Sequence, residues 1–214
     1  MMIQLIYQGH WFLFSLILSA LVVSLSCHEF GHAWVARRCG DTTAQQAGRL
    51  TLNPLAHIDP MGLLMVMIVG FGYAKPVPTD PSRFNSRYAE LLVAAAGPAM
   101  NLILAVITVN TYLVGLRFGW YGLDEALPQS LIFVARINLL LMVFNLLPIG
   151  ALDGHYILPY FLPRGLSQRY RYLNARYGNL TLLALIGLAI LGVPVLEGVW
   201  RVSDALLPMV AIVW

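Results

Sequence analysis

Long apolar runs constrain the folding of this chain more than any other feature. A helix needs about 20 apolar residues to span a bilayer. Four runs reach that length, and a fifth of about 13 residues is predicted to enter and leave the membrane on one side. The long runs occupy residues 11–36, 89–116, 129–148 and 179–200, the short run is 61–74, and a last apolar segment at 205–214 is unassigned.

The composition agrees with a membrane location. Hydrophobic residues make up 59% of the 214 residues and charged residues 11%, whereas an ordinary soluble domain is about 25% charged. We therefore predict an all-α polytopic membrane protein with about four to six transmembrane helices and a short re-entrant or partial span at 61–74. The basic residues form no patch suited to nucleic acid, so nucleic acid is not expected as a partner.

The basic residues predict an orientation in the membrane. They cluster in three loops, which follow the first run, follow the short run and precede the last long run. The positive-inside rule places all three loops in the cytoplasm if the N-terminus lies outside and the short run returns to its own side. The N-terminus lacks a basic segment and a small-residue cleavage site, so no cleaved signal peptide is expected.

The stretch HEFGH places three titratable side chains, His28, Glu29 and His32, near the end of the first apolar run. It matches H-E-x-x-H, which puts two imidazoles on one helical face where they can chelate zinc while the glutamate activates water. The alternative is a hydrogen-bonded polar seam between helices. Placing an ionisable group inside a membrane costs free energy. A charge on Glu29 without a nearby cation would cost still more, so this position favours a bound metal over the polar seam.

A catalytic zinc needs a third protein ligand, and Asp153 in NLLPIGALDG is the best candidate. His28 lies nine residues before Arg37, or about 13 Å along a helix. The predicted topology brings the third long run, 129–148, down to the same cytoplasmic half, and Asp153 follows that run. The alternative is an ordinary turn aspartate before Gly154.

Five motifs occur in a characteristic order: HEFGH, LTLNPLAHIDPMG, AKPVP, AAGPAMN and NLLPIGALDG. Over residues 20 to 160 the chain resembles the site-2 protease family of intramembrane zinc metalloproteases, and in particular its small bacterial members without a PDZ or CBS domain. One departure is that Gly150 and Ala151 stand where the family usually has a proline pair, which is expected to loosen the loop that presents Asp153.

The resemblance implies a set of site residues. His28, His32 and Asp153 correspond to the zinc ligands, one zinc per chain, and Glu29 to the catalytic base. Asn101 corresponds to an intramembrane asparagine near the active site. From the residues alone two roles stay open for Asn101: binding a substrate carbonyl or developing oxyanion, or an interhelical hydrogen bond that stabilises the bundle.

The resemblance also implies a function. The chain is expected to hydrolyse peptide bonds within or near transmembrane segments of membrane-embedded or membrane-tethered proteins, in a bacterial inner membrane, with its site toward the cytoplasm. The short run and AKPVP are hypothesised to receive the unwound substrate strand, by strand addition. The rival interpretation is a non-catalytic metal-binding scaffold or transporter. The sequence does not decide the oligomeric state.

Residues 1–214 are expected to form a single membrane-embedded metalloprotease domain, with a catalytic core at about 20–160 and a C-terminal helix or helices at 179–214. His57, within the motif LTLNPLAHIDPMG, is predicted to shape its proline-bounded loop. His155 and Arg136 have no assigned role, although a snorkelling or interhelical role suits Arg136.

Overall fold

The computed structural model describes residues 2–69, 72–123 and 125–213. The regular elements in this part of the chain are α-helices and short 3-10 helices, joined by loops. Within it the α-helices are α1 (Met2–Tyr7), α2 (Trp11–Arg38), α3 (Thr43–Gln46), α4 (Pro60–Val69), α5 (Ala89–Arg117), α6 (Ala126–Asn145), α7 (Gly154–Ile157), α8 (Arg164–Ile190) and α9 (Glu197–Leu206).

In the part of the chain that the structure describes, four helices are long and apolar enough to cross a membrane: α2, α5, α6 and α8. The prediction of an all-α polytopic membrane protein is confirmed. Helix α5 is central, because it packs against both α2 and α6 and 44% of its most apolar window is buried inside the protein. Helix α8 is peripheral, with only 6% of the corresponding window buried, so most of its apolar surface is left for lipid.

The short apolar run forms α4, which begins at Pro60 and ends at Val69. Gly70 and Phe71, also in the predicted 61–74 run, lie outside the described residues. Ile58 and Ala74, on either side of this excursion, form an isolated antiparallel bridge. The chain therefore enters and leaves α4 at one place, as expected of a partial span.

The last long helix lies earlier in the chain than its apolar run. Helix α8 begins at Arg164 and ends at Ile190, whereas the run was placed at 179–200. The arginine- and tyrosine-rich stretch before residue 178 contains no proline and only one glycine after Arg164, so the helix extends through it. Gly192, with φ of +85°, ends the helix on its other side.

A buried carboxylate ties the loop after α2 to the segment before α5. Asp41 is fully buried; one of its oxygens accepts a hydrogen bond from the Thr43 backbone N–H at 2.9 Å, and the other accepts from the Asp80 backbone N–H at 2.7 Å. The backbone N–H of Asn85 donates to the carbonyl of Cys39 at 2.9 Å. These contacts fasten the extended segment that contains AKPVP beside the end of α2.

Candidate metal centre

Three predicted ligand side chains meet inside the protein. The Nε2 atoms of His28 and His32 lie 3.0 Å apart. Asp153 Oδ2 lies 3.2 Å from the Nε2 of His28, and Asp153 Oδ1 lies 3.3 Å from that of His32. Both imidazoles are buried, and no other cluster of this kind occurs among the residues that the structure describes.

Two unlike elements bring these side chains together. His28 and His32 are four residues apart on α2, so they share one face of the helix. Asp153 arrives from a loop, because α6 ends at Asn145 and the chain turns at Gly150, where φ is +62°. That left-handed conformation is accessible to glycine at little expense.

The other ring nitrogen of each histidine is held by a hydrogen-bond acceptor. His28 Nδ1–H donates to the Oδ1 of Asn101 at 2.7 Å, and His32 Nδ1–H donates to the carbonyl of Val93 at 2.7 Å. An imidazole that donates through Nδ1 carries its lone pair on Nε2. Both acceptors belong to α5, so this helix sets the tautomer of both ligands on α2.

The donor set fits a zinc ion. With each Nδ1 proton donated to α5, two Nε2 atoms and a carboxylate face one another, and the buried Asp153 Oδ2 has no hydrogen-bond partner. When both imidazoles are neutral, these three acceptors repel one another, and a cation between them removes that repulsion. Zinc bonds of about 2.0 Å in tetrahedral geometry separate adjacent ligands by roughly 3.3 Å, close to the distances between these atoms.

Gly97 leaves room for this cluster. A Cβ atom at Gly97 would collide with the Nε2 of His32 and would lie 2.5 Å from the Nε2 of His28. Helix α5 therefore presents bare backbone to the two ligand atoms. The glycine of AAGPAMN is explained by this contact, in addition to the close helix packing that small residues allow.

Glu29 lies next to the ligand cluster and is also buried. Its Oε2 accepts a hydrogen bond from the backbone N–H of Val77 at 3.2 Å. The carboxylate is close enough to His32 and Arg49 to interact electrostatically with both. The AKPVP segment thus touches the predicted base directly, a contact that the sequence did not suggest.

A buried arginine holds the AKPVP segment in place. The guanidinium of Arg49 donates to the carbonyl of Pro76 at 3.1 Å and to that of Lys75. His57 packs beside it, with Nε2–H donating to the carbonyl of Thr51 at 2.8 Å. The loop-shaping role predicted for His57 agrees with this geometry, whereas nothing in the sequence distinguishes Arg49 from the other basic loop residues.

The same contacts bear on the strand-addition hypothesis. The N–H of Lys75 donates to the carbonyl of His57 at 2.8 Å, and the N–H of Val77 is used by Glu29. Pro76 and Pro78 have no N–H to offer. Strand addition to AKPVP would therefore require internal hydrogen bonds to be released first.

Asn101 is completely buried and fully engaged. Beyond accepting from His28, it donates through Nδ2 to the Oδ1 of Asn138 at 3.0 Å and to the carbonyl of Ser24 at 3.4 Å. Of the two roles left open for Asn101, this geometry favours the interhelical hydrogen bond. Asn138 is also fully buried, and sequence analysis missed it because a lone asparagine in an apolar run carries no motif.

His155 and Arg136 do not belong to the cluster of His28, His32 and Asp153. His155 donates from Nδ1 to the carbonyl of Leu152 at 2.8 Å, which stabilises the turn around Asp153. The side chain of Arg136 is exposed on α6, in keeping with snorkelling and not with a place inside the bundle.

Comparisons with known proteins identify relatives of this chain. The sequence model of peptidase family M50 matches residues 16–127 and 122–185. Relatives named "Putative zinc metalloprotease" include YwhC of Bacillus subtilis, which is 40% identical over 77% of this chain and 77% of its own length. They also include Rip2 of Mycolicibacterium smegmatis, which is 34% identical over 81% of this chain and 67% of its own length.

A more distant relative is the regulator of sigma-E protease RseP of Salmonella typhimurium, which is 28% identical over 55% of this chain and 29% of its own length. No solved structure matches the chain significantly. The relatives are named as proteases, and nothing favours the rival scaffold or transporter. The chain belongs to peptidase family M50, the site-2 protease family, and is a membrane-embedded zinc metalloprotease of the site-2 protease type.

Proposed function

We propose that His28, His32 and Asp153 hold a single zinc ion per chain and that Glu29 is the catalytic acid and base. The observation that carries this proposal is the convergence of three acceptor groups within 3.0–3.3 Å of one another. Zinc bound there is a Lewis acid that makes water nucleophilic at neutral pH and polarises the scissile carbonyl.

Glu29 exchanges the protons of the reaction. Val77 N–H occupies its Oε2, which leaves Oε1 to take a proton from the attacking water and return it to the leaving nitrogen. The carboxylate is buried and lies close enough to Arg49 to interact with it electrostatically. The Val77 contact also holds Glu29 in one rotamer before substrate arrives.

The substrate is a transmembrane segment of another protein, and residues 1–214 act as one membrane-embedded domain. A helical substrate has its amides paired internally, so it must unwind locally before its carbonyl reaches the site. We place the site in the cytoplasmic half of a bacterial inner membrane. Support comes from Arg37 and Arg38, which lie in the last turn of α2, on the C-terminal side of His28. Basic residues at the end of a span favour the cytoplasmic side.

Zinc content tests the ligand assignment. Purified without chelator in detergent, the wild type and Glu29→Gln are expected to hold about one zinc per chain, since Glu29 is not a ligand in this geometry. Asp153→Ala should lose most of it. Glu29→Gln should fail to cleave a transmembrane reporter that the wild type cleaves. Full zinc in Asp153→Ala would mean that the third ligand is another residue.

Thiol labelling tests the orientation. In a variant with both native cysteines replaced by alanine, Gln45→Cys and Phe118→Cys place single exposed thiols in two different loops. A membrane-impermeant maleimide added to spheroplasts should label Phe118→Cys and spare Gln45→Cys until the membrane is opened. The reverse pattern would place the site on the outer half.

A further inference from the structure

Helix α8 has few contacts with the rest of the protein, and they include the loop that carries Asp153. Tyr170 and Asn174 are four residues apart and face this loop on one side of the helix. The hydroxyl of Tyr170 donates to the carbonyl of Pro148 at 2.8 Å. A helix whose apolar part is largely exposed thus has polar side chains in contact with a defined loop.

Asn174 makes a two-point contact with the backbone of Gly150. The backbone N–H of Gly150 donates to Asn174 Oδ1 at 3.0 Å, and Asn174 Nδ2 donates to the Gly150 carbonyl at 3.1 Å. Gly150 is buried and has a left-handed φ of +62°. One side-chain amide therefore satisfies both backbone groups of the residue at which the loop turns, three positions before Asp153.

Gly178, one turn further along α8, lets the two backbones meet. A Cβ atom at Gly178 would collide with Asn174 Oδ1 and would lie 3.0 Å from the Cα of Gly150. A Cβ at Gly150 would in turn lie 3.0 Å from the carbonyl oxygen of Gly178. The contact thus depends on a glycine in each partner.

The helix that carries Asn174 is itself anchored to α5. Arg171 donates through Nη2 to Glu90 Oε2 at 2.8 Å, and Tyr160 OH donates to the same carboxylate at 3.1 Å. Helix α5 supplies the acceptors for both histidine Nδ1 atoms. Through Arg171 and Asn174, α8 links the loop of the third ligand to the helix that orients the first two.

We infer that Asn174 is a positioning residue for the metal centre: it fixes the loop at Gly150 and thereby sets Asp153 against the two histidines. This inference rests on the proposed role of Asp153 as third ligand. It answers the expectation that Gly150, in place of a proline, would loosen this loop. The loop is held instead by a side chain from a helix outside the catalytic core predicted at 20–160.

The experiment measures zinc release to a chromogenic chelator, with intact protein in detergent. Partners that orient metal ligands typically contribute about 10–100-fold in metal affinity or activity. Asn174→Ala is therefore expected to weaken zinc binding by about that factor. Asn174→Asp keeps the acceptor for the Gly150 N–H but loses the donor to the Gly150 carbonyl. We therefore expect it to lose at least part of the wild-type zinc affinity. With a cleavable transmembrane reporter, kcat should fall while KM stays close to the wild-type value.

Two matched variants separate positioning from folding. Asn179→Ala removes an exposed asparagine from the same helix and should release zinc at the wild-type rate. Gly178→Ala favours the helix by about 1 kcal/mol in intrinsic propensity but drives a methyl group into Asn174 and Gly150. It should speed zinc release even where the zinc-free protein melts no earlier than wild type, which a general loss of stability would not produce.

Each outcome has one meaning when Asp153→Ala is measured in parallel. Low zinc content in Asp153→Ala and rapid zinc release from Asn174→Ala and Gly178→Ala, with normal release from Asn179→Ala, support the inference. Low zinc content in Asp153→Ala with wild-type release from Asn174→Ala and Gly178→Ala overturns it and leaves the ligand assignment standing. Full zinc content in Asp153→Ala overturns both the ligand assignment and the inference.

Discussion

The Nδ1 atom of His28 lies 2.7 Å from the Oδ1 of Asn101, and Asn101 in turn donates to Asn138 at 3.0 Å. This chain of hydrogen bonds crosses α2, α5 and α6 through fully buried amides. Because Oδ1 can only accept, it requires a proton on Nδ1 and leaves the Nε2 lone pair for the metal. Two asparagines thus determine the tautomer of His28, a proposed zinc ligand.

Asn101→Ala should weaken zinc binding by about 10–100-fold, because His28 loses the acceptor that orients it. It should also destabilise the protein by about 1–3 kcal/mol, since Asn138 keeps a buried unpaired oxygen. Asn101→Asp retains an acceptor for Nδ1 and should keep more zinc than Asn101→Ala. Zinc titration and thermal melting measure the two effects. Wild-type zinc affinity in Asn101→Ala, combined with a lower kcat, would assign Asn101 to the substrate instead.

Gly97→Ala should abolish stoichiometric zinc binding, because its methyl group would occupy the space beside both Nε2 atoms. Helix propensity would otherwise make this substitution favourable by about 1 kcal/mol. The matched control is Gly187→Ala on α8, where a Cβ would meet no atom within 4 Å. Metal analysis of the two purified variants decides the matter, and a fully loaded Gly97→Ala would contradict the close approach of α5 to the ligands.

Arg49→Met should release the AKPVP segment from the base. The substitution leaves the carbonyls of Lys75 and Pro76 without their charged donor, a loss of roughly 1.5–3 kcal/mol per hydrogen bond. We expect faster amide exchange at Val77 and faster proteolysis between residues 72 and 80. Arg83→Met removes an exposed arginine paired with Asp80 and should have little effect, because such surface pairs contribute about 0–1 kcal/mol. Equal protection in both variants would show that Arg49 does not hold this segment.

Asp41 should make the protein less stable in acid. Burial works to raise the pKa of its carboxyl, but hydrogen bonds from Thr43 and from the backbone N–H of Asp80 outweigh it and hold the pKa below its usual value. A depressed folded-state pKa adds stability above the unfolded-state pKa of about 4, and this stability is lost as the pH falls through the folded-state value. Melting temperatures should be measured between pH 3 and pH 7, from about one unit below the unfolded-state pKa to well above it. They should be lower at the acid end of this range.

Asp41→Asn removes this titrating group and is the control for that experiment. It should melt at a lower temperature than wild type at neutral pH, where the charged acceptor matters most. The difference between the two melting temperatures should become smaller as the pH falls. A difference that stays constant over the range would mean that Asp41 does not titrate as described.

The amino-acid sequence by itself determined the parts of this protein that depend on neighbours along the chain. A run of apolar residues long enough to cross a bilayer can satisfy its backbone only as a helix, so four spans followed from hydropathy alone. The spacing of His28 and His32 places both on one helical face in any fold. The short run ending near Ala74 was too short to cross. The limits of α8 were misplaced most, because helix propensity and not hydropathy governs a polar helical extension.

The tertiary structure decided which distant groups touch. Asn101 and Asn138 could each have been a packing residue, and only the crossing of α5 with its neighbours brings them to His28. Asn174 reaches Gly150 because α8 lies along the ligand loop. Such contacts join residues tens of positions apart through atoms that must agree within fractions of an ångström. No local pattern encodes that agreement, because it arises from the packing of whole helices against one another.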